Sequence, residues 1–213
     1  MTMKTDVLTK LTHAGVVAVV RGDTKEEALQ AAQACIEGGV TAIELTFTVP
    51  NVEEVIAQLA QEYRDNTDVV IGAGTVLDAV TARIAIMAGA KFIVSPSFSK
   101  EVAKVCNLYT TLYTPGCFTP TEVQEALVYG SELVKIFPGS TAGIDYIKSI
   151  HGPFPQVEIM PSGGVSLENM DKWFANGALV VGVGGNLTNG TPAEIKEKAL
   201  AYRQRFEEIQ TQV

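Results

Sequence analysis

Short apolar segments alternate with amphipathic segments from one end of the chain to the other. The apolar segments are rich in Val and Ile, have the length of strands, and are closed by Gly or Pro. Eight of them are present, at 15–22, 41–47, 68–74, 91–96, 110–116, 132–138, 157–164 and 178–185. Because they are apolar at successive positions, we expect parallel strands that are covered on both faces.

The intervening segments carry the signals of helix ends. Thr24 with Glu27, and more weakly Asn51 with Glu54, fit a capping box. The stretches "TPTE" (119–122) and "TPAE" (191–194) combine a cap residue, a Pro at the first helical position and a Glu at the third. Glycines are expected to end four helices, at Gly38–Gly39, Gly89, Gly130 and Gly177. One apolar stripe is predicted on the last helix, from Ile195, Ala199, Tyr202, Phe206 and Ile209.

Eight strand signals, each followed by a helix, predict an α/β fold of the (β/α)8 TIM-barrel class. A short amphipathic helix is predicted before the first strand. The 213 residues contain no linker and no low-complexity segment, so we expect one domain over 1–213. A doubly wound open sheet is the alternative, but "GAGTVL" and "GVGGNL" both lack the third glycine of a dinucleotide-binding turn.

The composition and net charge of the chain limit the kinds of molecule that it can bind. The chain is 46% hydrophobic and has a formal net charge of −8, which argues against nucleic acid or an anionic membrane as the main partner. An anionic metabolite is not excluded, since a local pocket can be positive. Cys35, Cys106 and Cys117 form no C-x-x-C pair, and no signal peptide or membrane span is apparent, so we expect reduced thiols in a cytoplasmic protein.

Two charged residues lie inside predicted strands, Glu44 in "AIELTF" and Lys135 in "ELVKIFP". A buried charge is costly unless it is paired, so a purely structural salt bridge is one interpretation. The other is chemical. Burial favours the neutral amine, which attacks carbonyls to form a Schiff base, while a nearby carboxylate can move protons. Arg21 ends the first strand, and in a barrel all three side chains would meet at the C-terminal mouth. The pattern favours a carbon–carbon lyase.

Glycines close the last two predicted strands, in "SGG" (162–164) and "GVGG" (182–185). Barrels commonly bind phosphate at this place with loop amides and a helix N-terminus, although tight turns alone would also use glycine. His13 and His151 are far apart and outside the strand ends, so no metal site is predicted.

The chain resembles the 2-keto-3-deoxy-6-phosphogluconate (KDPG) and 4-hydroxy-2-oxoglutarate (KHG) aldolases. The motifs "GGVTAIELT", "VIGAGTVL", "FIVSP", "TPGCFTPTE", "LVKIFP" and "MPSGGV" follow in that family's order. The resemblance implies a class I aldolase that forms a covalent lysine imine and uses no other cofactor and no metal. It also implies a (β/α)8 homotrimer whose small-molecule partners are a phosphorylated keto-acid and pyruvate.

By the same resemblance, Lys135 is the Schiff-base lysine and Glu44 the general acid/base. Arg21, Thr75 and Pro96 are the implied substrate contacts. The implied phosphate-binding glycines are Gly163, Gly164, Gly184 and Gly185. Thr48 stands where many relatives have an arginine, and Asn186 where a serine is common. The stretches "PGCFTPTE" and "IFPGSTAGIDYIK" also resemble the 2-keto-3-deoxy-6-phosphogalactonate aldolases. These changes leave the implied reaction type intact, and the phosphogalactonate substrate stays an alternative.

Two other functional classes remain open at this point. One is a phosphate-binding barrel isomerase or synthase that uses Glu44 without a covalent lysine. The other is a non-catalytic barrel that binds a sugar phosphate without covalent chemistry.

Overall fold

In the computed structural model, which describes residues 3–211, parallel strands alternate with helices along the chain. The strands are β1 (Val16–Val20), β2 (Ala42–Thr46), β3 (Val70–Gly74), β4 (Phe92–Val94), β5 (Leu112–Thr114), β6 (Gly116–Cys117), β7 (Leu133–Ile136), β8 (Glu158–Pro161) and β9 (Val181–Val183). The longer helices are α1 (Met3–Ala14), α2 (Lys25–Glu37), α3 (Val52–Glu62), α4 (Ala79–Ala88), α5 (Lys100–Leu108), α6 (Pro120–Val128) and α11 (Pro192–Thr211). The shorter ones are α7 (Gly139–Ala142), α8 (Tyr146–His151), α9 (Met170–Ala175) and α10 (Gly185–Thr188).

Hydrogen bonding divides the described strands into two parallel sheets. Six strands pair in the order β5-β4-β3-β2-β1-β9, and three pair in the order β6-β7-β8. The division arises at Pro115, which lacks an N–H and splits the fifth predicted strand into β5 and β6. The carbonyl of Pro115 nevertheless accepts a hydrogen bond from the Lys135 N–H at 2.8 Å. A parallel bridge between Ser162 and Gly182 joins the ends of β8 and β9. The α/β class and the parallel strands are therefore confirmed.

Both faces of the strands are buried, as their continuous apolar sequence predicts. On β1, Val16, Ala18 and Val20 pack in the cluster beneath the helices, whereas Val17 belongs to a second, inner cluster. Leu11 of α1 packs into that inner cluster, so α1 covers the N-terminal ends of the strands. The opposite, C-terminal ends of the strands are left for the loops.

Most of the predicted helix ends are confirmed. The N–H of Glu27 donates to the Thr24 side chain, and Thr119 with Glu122 forms a complete capping box. Gly38 and Gly89 cap α2 and α4, while Gly130 and Gly177 lie one residue beyond the caps of α6 and α9. The predicted stripe on α11 is buried at all five positions.

The capping prediction at Asn51 is wrong. Asn51 precedes α3 with a φ of 52°, in the left-handed region, and its side chain makes no cap hydrogen bond. A side-chain N-cap needs an extended backbone to turn its oxygen toward the first helical N–H groups, and the left-handed conformation does not provide this. Within residues 3–211, no helix is both long and apolar enough to cross a bilayer.

Candidate active site

Glu44 and Lys135 lie on the strand face that carries the inner cluster. Ala42 and Leu133 lie two residues earlier on the same strands and belong to the inner cluster, and side chains two apart on a strand share a face. The Nζ of Lys135 lies 3.6 Å from Oε1 of Glu44, and the two side chains are 7% and 0% exposed. Both side chains are therefore buried, as their place inside apolar strands predicts.

The carboxylate of Glu44 is held loosely for a buried group. Both of its oxygens are buried and accept no hydrogen bond from residues 3–211. Its separation from Lys135 exceeds the ~2.7–2.9 Å of a charge-assisted hydrogen bond. A structural salt bridge needs close geometry and further hydrogen bonds to offset desolvation. This pair has neither, so the carboxylate remains available to exchange a proton.

Small residues on β3 make room for Glu44. Gly72 pairs with Glu44 in the sheet register, and Gly74 lies two residues further along the same strand. A Cβ built on Gly74 would lie only 2.6 Å from Cδ of Glu44. Glycine at position 74 is therefore required by the volume of the Glu44 side chain on the neighbouring strand, whereas a Cβ on Gly72 would meet the ring of Phe92.

Lys135 also faces an aromatic ring. Its Nζ lies 5.1 Å from the centroid of the Phe137 ring, within the range of a cation–π contact. Phe137 is half-buried and follows β7 directly, so the ring borders the mouth on the side of the lysine.

Arg21 occupies the rim of the mouth. It is exposed at the end of β1, and its Nη1 donates to Oγ1 of Thr48 at 3.1 Å. The Thr48 hydroxyl lies 2.8 Å from that of Thr46, which in turn donates to the carbonyl of Val20 at 3.1 Å. The ion pairs among residues 3–211 do not join Arg21 to Glu44. Of the three charges predicted to converge, Glu44 and Lys135 form a buried pair, and Arg21 contacts Thr48 instead.

A cavity of about 550 Å³ opens next to Arg21. Thr48 lines it on one side, and Thr188 and Asn189 line it on the other. The hydrogen bond to Thr48 thereby orients the Arg21 guanidinium along this cavity.

Thr75 and Pro96 lie on adjacent loops after β3 and β4. Thr75 has a φ of 53°, a left-handed conformation that is unusual for a β-branched residue. The loops are tied together, since the Val76 N–H donates to the Val94 carbonyl at 3.1 Å and the Ser95 hydroxyl donates to the Val76 carbonyl at 2.6 Å. Because Thr75 follows Gly74 directly, the first of these loops begins beside the Glu44 carboxylate.

The predicted phosphate-binding glycines form two neighbouring loops. Gly163 and Gly164 have φ values of 88° and 86°, which only glycine adopts readily. Gly184 precedes α10, and a Cβ placed on it would meet nothing within 4 Å. The side chain of Asn186 donates to the Val165 carbonyl at 2.9 Å and so ties the second loop to the first. The two loops thus lie side by side, and the second leads directly into α10.

Sequence reasoning assigned no role to several polar groups that the fold buries near this mouth. Tyr113 and Ser95 form a hydrogen-bonded pair at 3.1 Å, and the Thr114 hydroxyl is buried without a partner in the described chain. The sequence signal that could have identified these groups is their polar character within otherwise apolar strand segments. The three cysteines are buried free thiols, as expected. Residues 3–211 contain no cluster of three or more metal-ligating side chains.

The chain is similar to known proteins over nearly its whole length. Residues 7–201 match the family model of the KDPG and KHG aldolases. It is 35% identical to the 2-dehydro-3-deoxy-6-phosphogalactonate aldolase of Escherichia coli K12, covering 80% of this chain and 83% of that one. It is 36% identical to a 2-dehydro-3-deoxy-phosphogluconate aldolase of Treponema pallidum, with 76% of each chain covered.

A solved structure adds chemical information about a relative. The KDPG aldolase of Legionella pneumophila, with pyruvate captured at low pH as a covalent carbinolamine, superposes with a TM-score of 0.83 at 27% identity. The alignment covers 91% of this chain and 96% of that one.

Proposed function

The chain belongs to the KDPG and KHG aldolase family, and we propose that it is a class I aldolase in which Lys135 forms the imine and Glu44 moves the protons. The observation that carries the proposal is the buried pair on β2 and β7, with Lys135 Nζ 3.6 Å from Glu44 Oε1. The covalent imine takes the place of an external cofactor. A carbon–carbon lyase is also the class to which the named relatives belong.

The reaction begins when the neutral amine of Lys135 attacks the C2 ketone of a 2-keto-3-deoxy acid. Glu44 delivers the proton with which the carbinolamine hydroxyl leaves as water, and a protonated imine forms. The resulting carboxylate then accepts the proton of the C4 hydroxyl while the C3–C4 bond breaks, and the bonding electrons move into the imine to give an enamine. Protonation of C3 and hydrolysis release pyruvate and regenerate Lys135.

The substrate we propose is 2-keto-3-deoxy-6-phosphogluconate, which yields pyruvate and glyceraldehyde 3-phosphate. The glycine loops at Gly163–Gly164 and Gly184–Gly185 support a phosphate at the far end of the substrate, because they follow the last two strands and glycine lets backbone amides approach an anion closely. Arg21, Thr75 and Pro96 border the remaining sides of the mouth and are the proposed substrate contacts. 4-Hydroxy-2-oxoglutarate, which would give pyruvate and glyoxylate, is a further proposed substrate.

The phosphogalactonate isomer is a second candidate substrate. It is favoured by the replacement of an arginine at Thr48, which leaves Arg21 as the cation at this part of the rim. The Escherichia coli phosphogalactonate aldolase is also among the most similar relatives. Parallel kcat/KM measurements on the two phosphorylated substrates decide between them, because they differ only in the configuration of one hydroxyl.

We extend the proposal to the architecture. A closed (β/α)8 barrel formed as one domain over residues 1–213 is supported by two links between the sheets, Pro115 to Lys135 and Ser162 to Gly182. A homotrimer is supported by an exposed apolar face on and before α4, where Leu77, Val80, Ile84 and Met87 are 61%, 70%, 45% and 64% exposed. The buried free thiols support a reducing, cytoplasmic location.

Borohydride trapping tests the proposed chemistry. Incubation with pyruvate and borohydride is expected to leave a stable adduct on the peptide that contains Lys135, identified by mass spectrometry. The matched control is Lys135→Met, which should give no adduct and no cleavage while it stays folded. An active preparation that forms no adduct would rule out the imine mechanism and favour non-covalent chemistry at Glu44.

A further inference from the structure

The hydroxyl of Tyr113 lies at the centre of a chain of buried hydrogen bonds, here called the relay. The relay runs from Ser99 through Tyr113 and Ser95 to Val76. Tyr113 is 3% exposed on β5 and packs in the outer cluster, away from the catalytic pair. Its hydroxyl accepts a hydrogen bond from the Ser99 N–H at 3.1 Å and donates to Oγ of Ser95 at 3.1 Å. The Ser97 carbonyl is a second, longer acceptor at 3.4 Å.

The relay continues from Ser95 to the loop that carries Thr75. Ser95 is 1% exposed, and its hydroxyl donates to the Val76 carbonyl at 2.6 Å. Val76 directly follows Thr75, and Ser95 directly precedes Pro96. The hydrogen bonds of the Tyr113 hydroxyl therefore lead to two of the three proposed substrate-contacting residues, Thr75 and Pro96.

The Thr75 backbone needs such support. A β-branched residue rarely adopts its φ of 53°, and a conformation of this kind persists only when the surrounding structure holds it. Gly74, the preceding residue, lies against the Glu44 carboxylate. Thr75 therefore lies beside the catalytic pair, where the keto-acid part of the substrate must bind to reach Lys135.

We propose that Tyr113 is a positioning residue for the aldol reaction, which through Ser95 holds the Thr75 and Pro96 loops where they bind the keto-acid part of the substrate. The inference rests on the proposed function, since that function makes Thr75 and Pro96 substrate contacts. A tyrosine that served only to fill space would require its ring but not its hydroxyl. Here the hydroxyl's partners, Ser95, Ser97 and Ser99, all lie on the segment that follows β4.

The Tyr113 hydroxyl can donate a hydrogen bond over the whole pH range in which enzymes usually work. Burial is the largest influence on the group and raises the pKa of Tyr113 to about 12, against the opposing effect of the hydrogen bonds with Ser95 and Ser99. The phenol therefore stays protonated at neutral pH and can donate to Ser95 throughout.

Tyr113→Phe, which removes a single oxygen atom, is the central test. We expect kcat/KM for the phosphorylated keto-acid to fall about tenfold through KM, with kcat changed less than about twofold. The pyruvate concentration that gives half-maximal borohydride trapping on Lys135 should rise by a similar factor. Tyr109→Phe is the matched control, because the Tyr109 hydroxyl accepts a hydrogen bond from Arg83 at 2.9 Å on the surface, and it should leave both values unchanged.

Ser95→Ala tests the second link of the relay. It should reproduce the loss, and combining it with Tyr113→Phe should add almost nothing, because both changes break one chain of hydrogen bonds. Ser131→Ala is its control, since Ser131 is also buried but precedes β7 at the other end of the strands.

Either of two results would overturn this inference without affecting the proposed function. One is a Tyr113→Phe enzyme with wild-type KM and trapping, and the other is a double variant whose two losses multiply. If the wild-type protein itself forms no adduct with pyruvate, the proposed function fails and this inference fails with it. Trapping by the wild-type protein therefore separates the two cases.

Discussion

The carboxylate of Glu44 occupies the space that a side chain on Gly74 would need. A Cβ on Gly74 would lie 2.6 Å from Cδ of Glu44. The φ of Gly74 is not in the left-handed region, so the backbone at this position would itself accept alanine. The position of the proposed proton carrier thus depends on the absence of an atom from the neighbouring strand.

Gly74→Ala is therefore expected to displace Glu44 and to lower kcat by about a hundredfold, because a shift of about 1 Å in a catalytic group has effects of that size. Steady-state kinetics checks this. The control is Gly152→Ala, where a Cβ would make only ordinary contacts at 3.5 Å or more. Equal activity of the two variants would contradict the assignment of Glu44.

Removing one charge of the buried pair should destabilise the protein. Lys135→Met leaves the Glu44 carboxylate buried without its cation, so we expect the free energy of unfolding to fall by about 3–5 kcal/mol. Lys135→Met combined with Glu44→Met should recover most of that loss while remaining inactive. Urea unfolding followed by circular dichroism measures both.

An exposed pair provides the comparison for this experiment. Lys104 and Glu101 lie 2.8 Å apart with both side chains more than half exposed. Lys104→Met is expected to change the free energy of unfolding by less than about 1 kcal/mol. If Lys135→Met were equally mild, the pair would not be desolvated in solution.

Thr114→Val replaces a buried hydroxyl with a methyl group of the same shape. The hydroxyl is fully buried and finds no hydrogen-bond partner in residues 3–211, so its removal should raise the free energy of unfolding by about 1 kcal/mol. Thermal and urea unfolding measure whether the free energy of unfolding rises or falls. A clear loss of stability would instead show that the hydroxyl has a buried partner, such as an internal water.

Alkaline pH should weaken the fold. Burial raises the pKa of the Cys35, Cys106 and Cys117 thiols to about 12 from an ordinary value of 9.0, so the folded state retains protons that the unfolded chain releases. Their contribution is complete below pH 9 and is lost as the pH rises from 9 toward 12. The urea midpoint should fall over that interval, and Cys35→Ala should make the fall shallower. An unchanged slope in that variant would contradict the assignment.

The exposed apolar face on and before α4 is the proposed interface of the trimer, so a charge placed there should weaken the trimer. Ile84→Glu places a charge in the middle of this face, and we expect it to shift the proposed trimer toward monomer, measured by light scattering. Leu200→Glu on α11 is the control, since Leu200 is an exposed apolar residue at 50% on another helix. A wild-type monomer, or a trimer in both variants, would exclude this face as the interface.

Local patterns explain what could be predicted from sequence. The strand segments, the capping box at Thr119 and the buried stripe on α11 each depend on residues close together in the chain, so composition and spacing are sufficient. Glu44 and Lys135 were identifiable because a charge stands out in an apolar strand. Arg21 and the glycines were indicated by their places at strand ends, whereas the roles of Thr75 and Pro96 came from family resemblance, and all of these roles remain proposals.

The remaining features depend on contacts between distant segments. Gly74 shapes the space for Glu44 across two strands, Thr48 orients Arg21, and Tyr113 reaches Val76 through Ser95. The sequence by itself determined the strands, most helix ends and the two residues of the proposed chemistry, because local pattern and burial specify them. Only the tertiary structure decided how closely Glu44 approaches Lys135 and which polar groups support the loops, because these depend on strand register and side-chain volume across the fold.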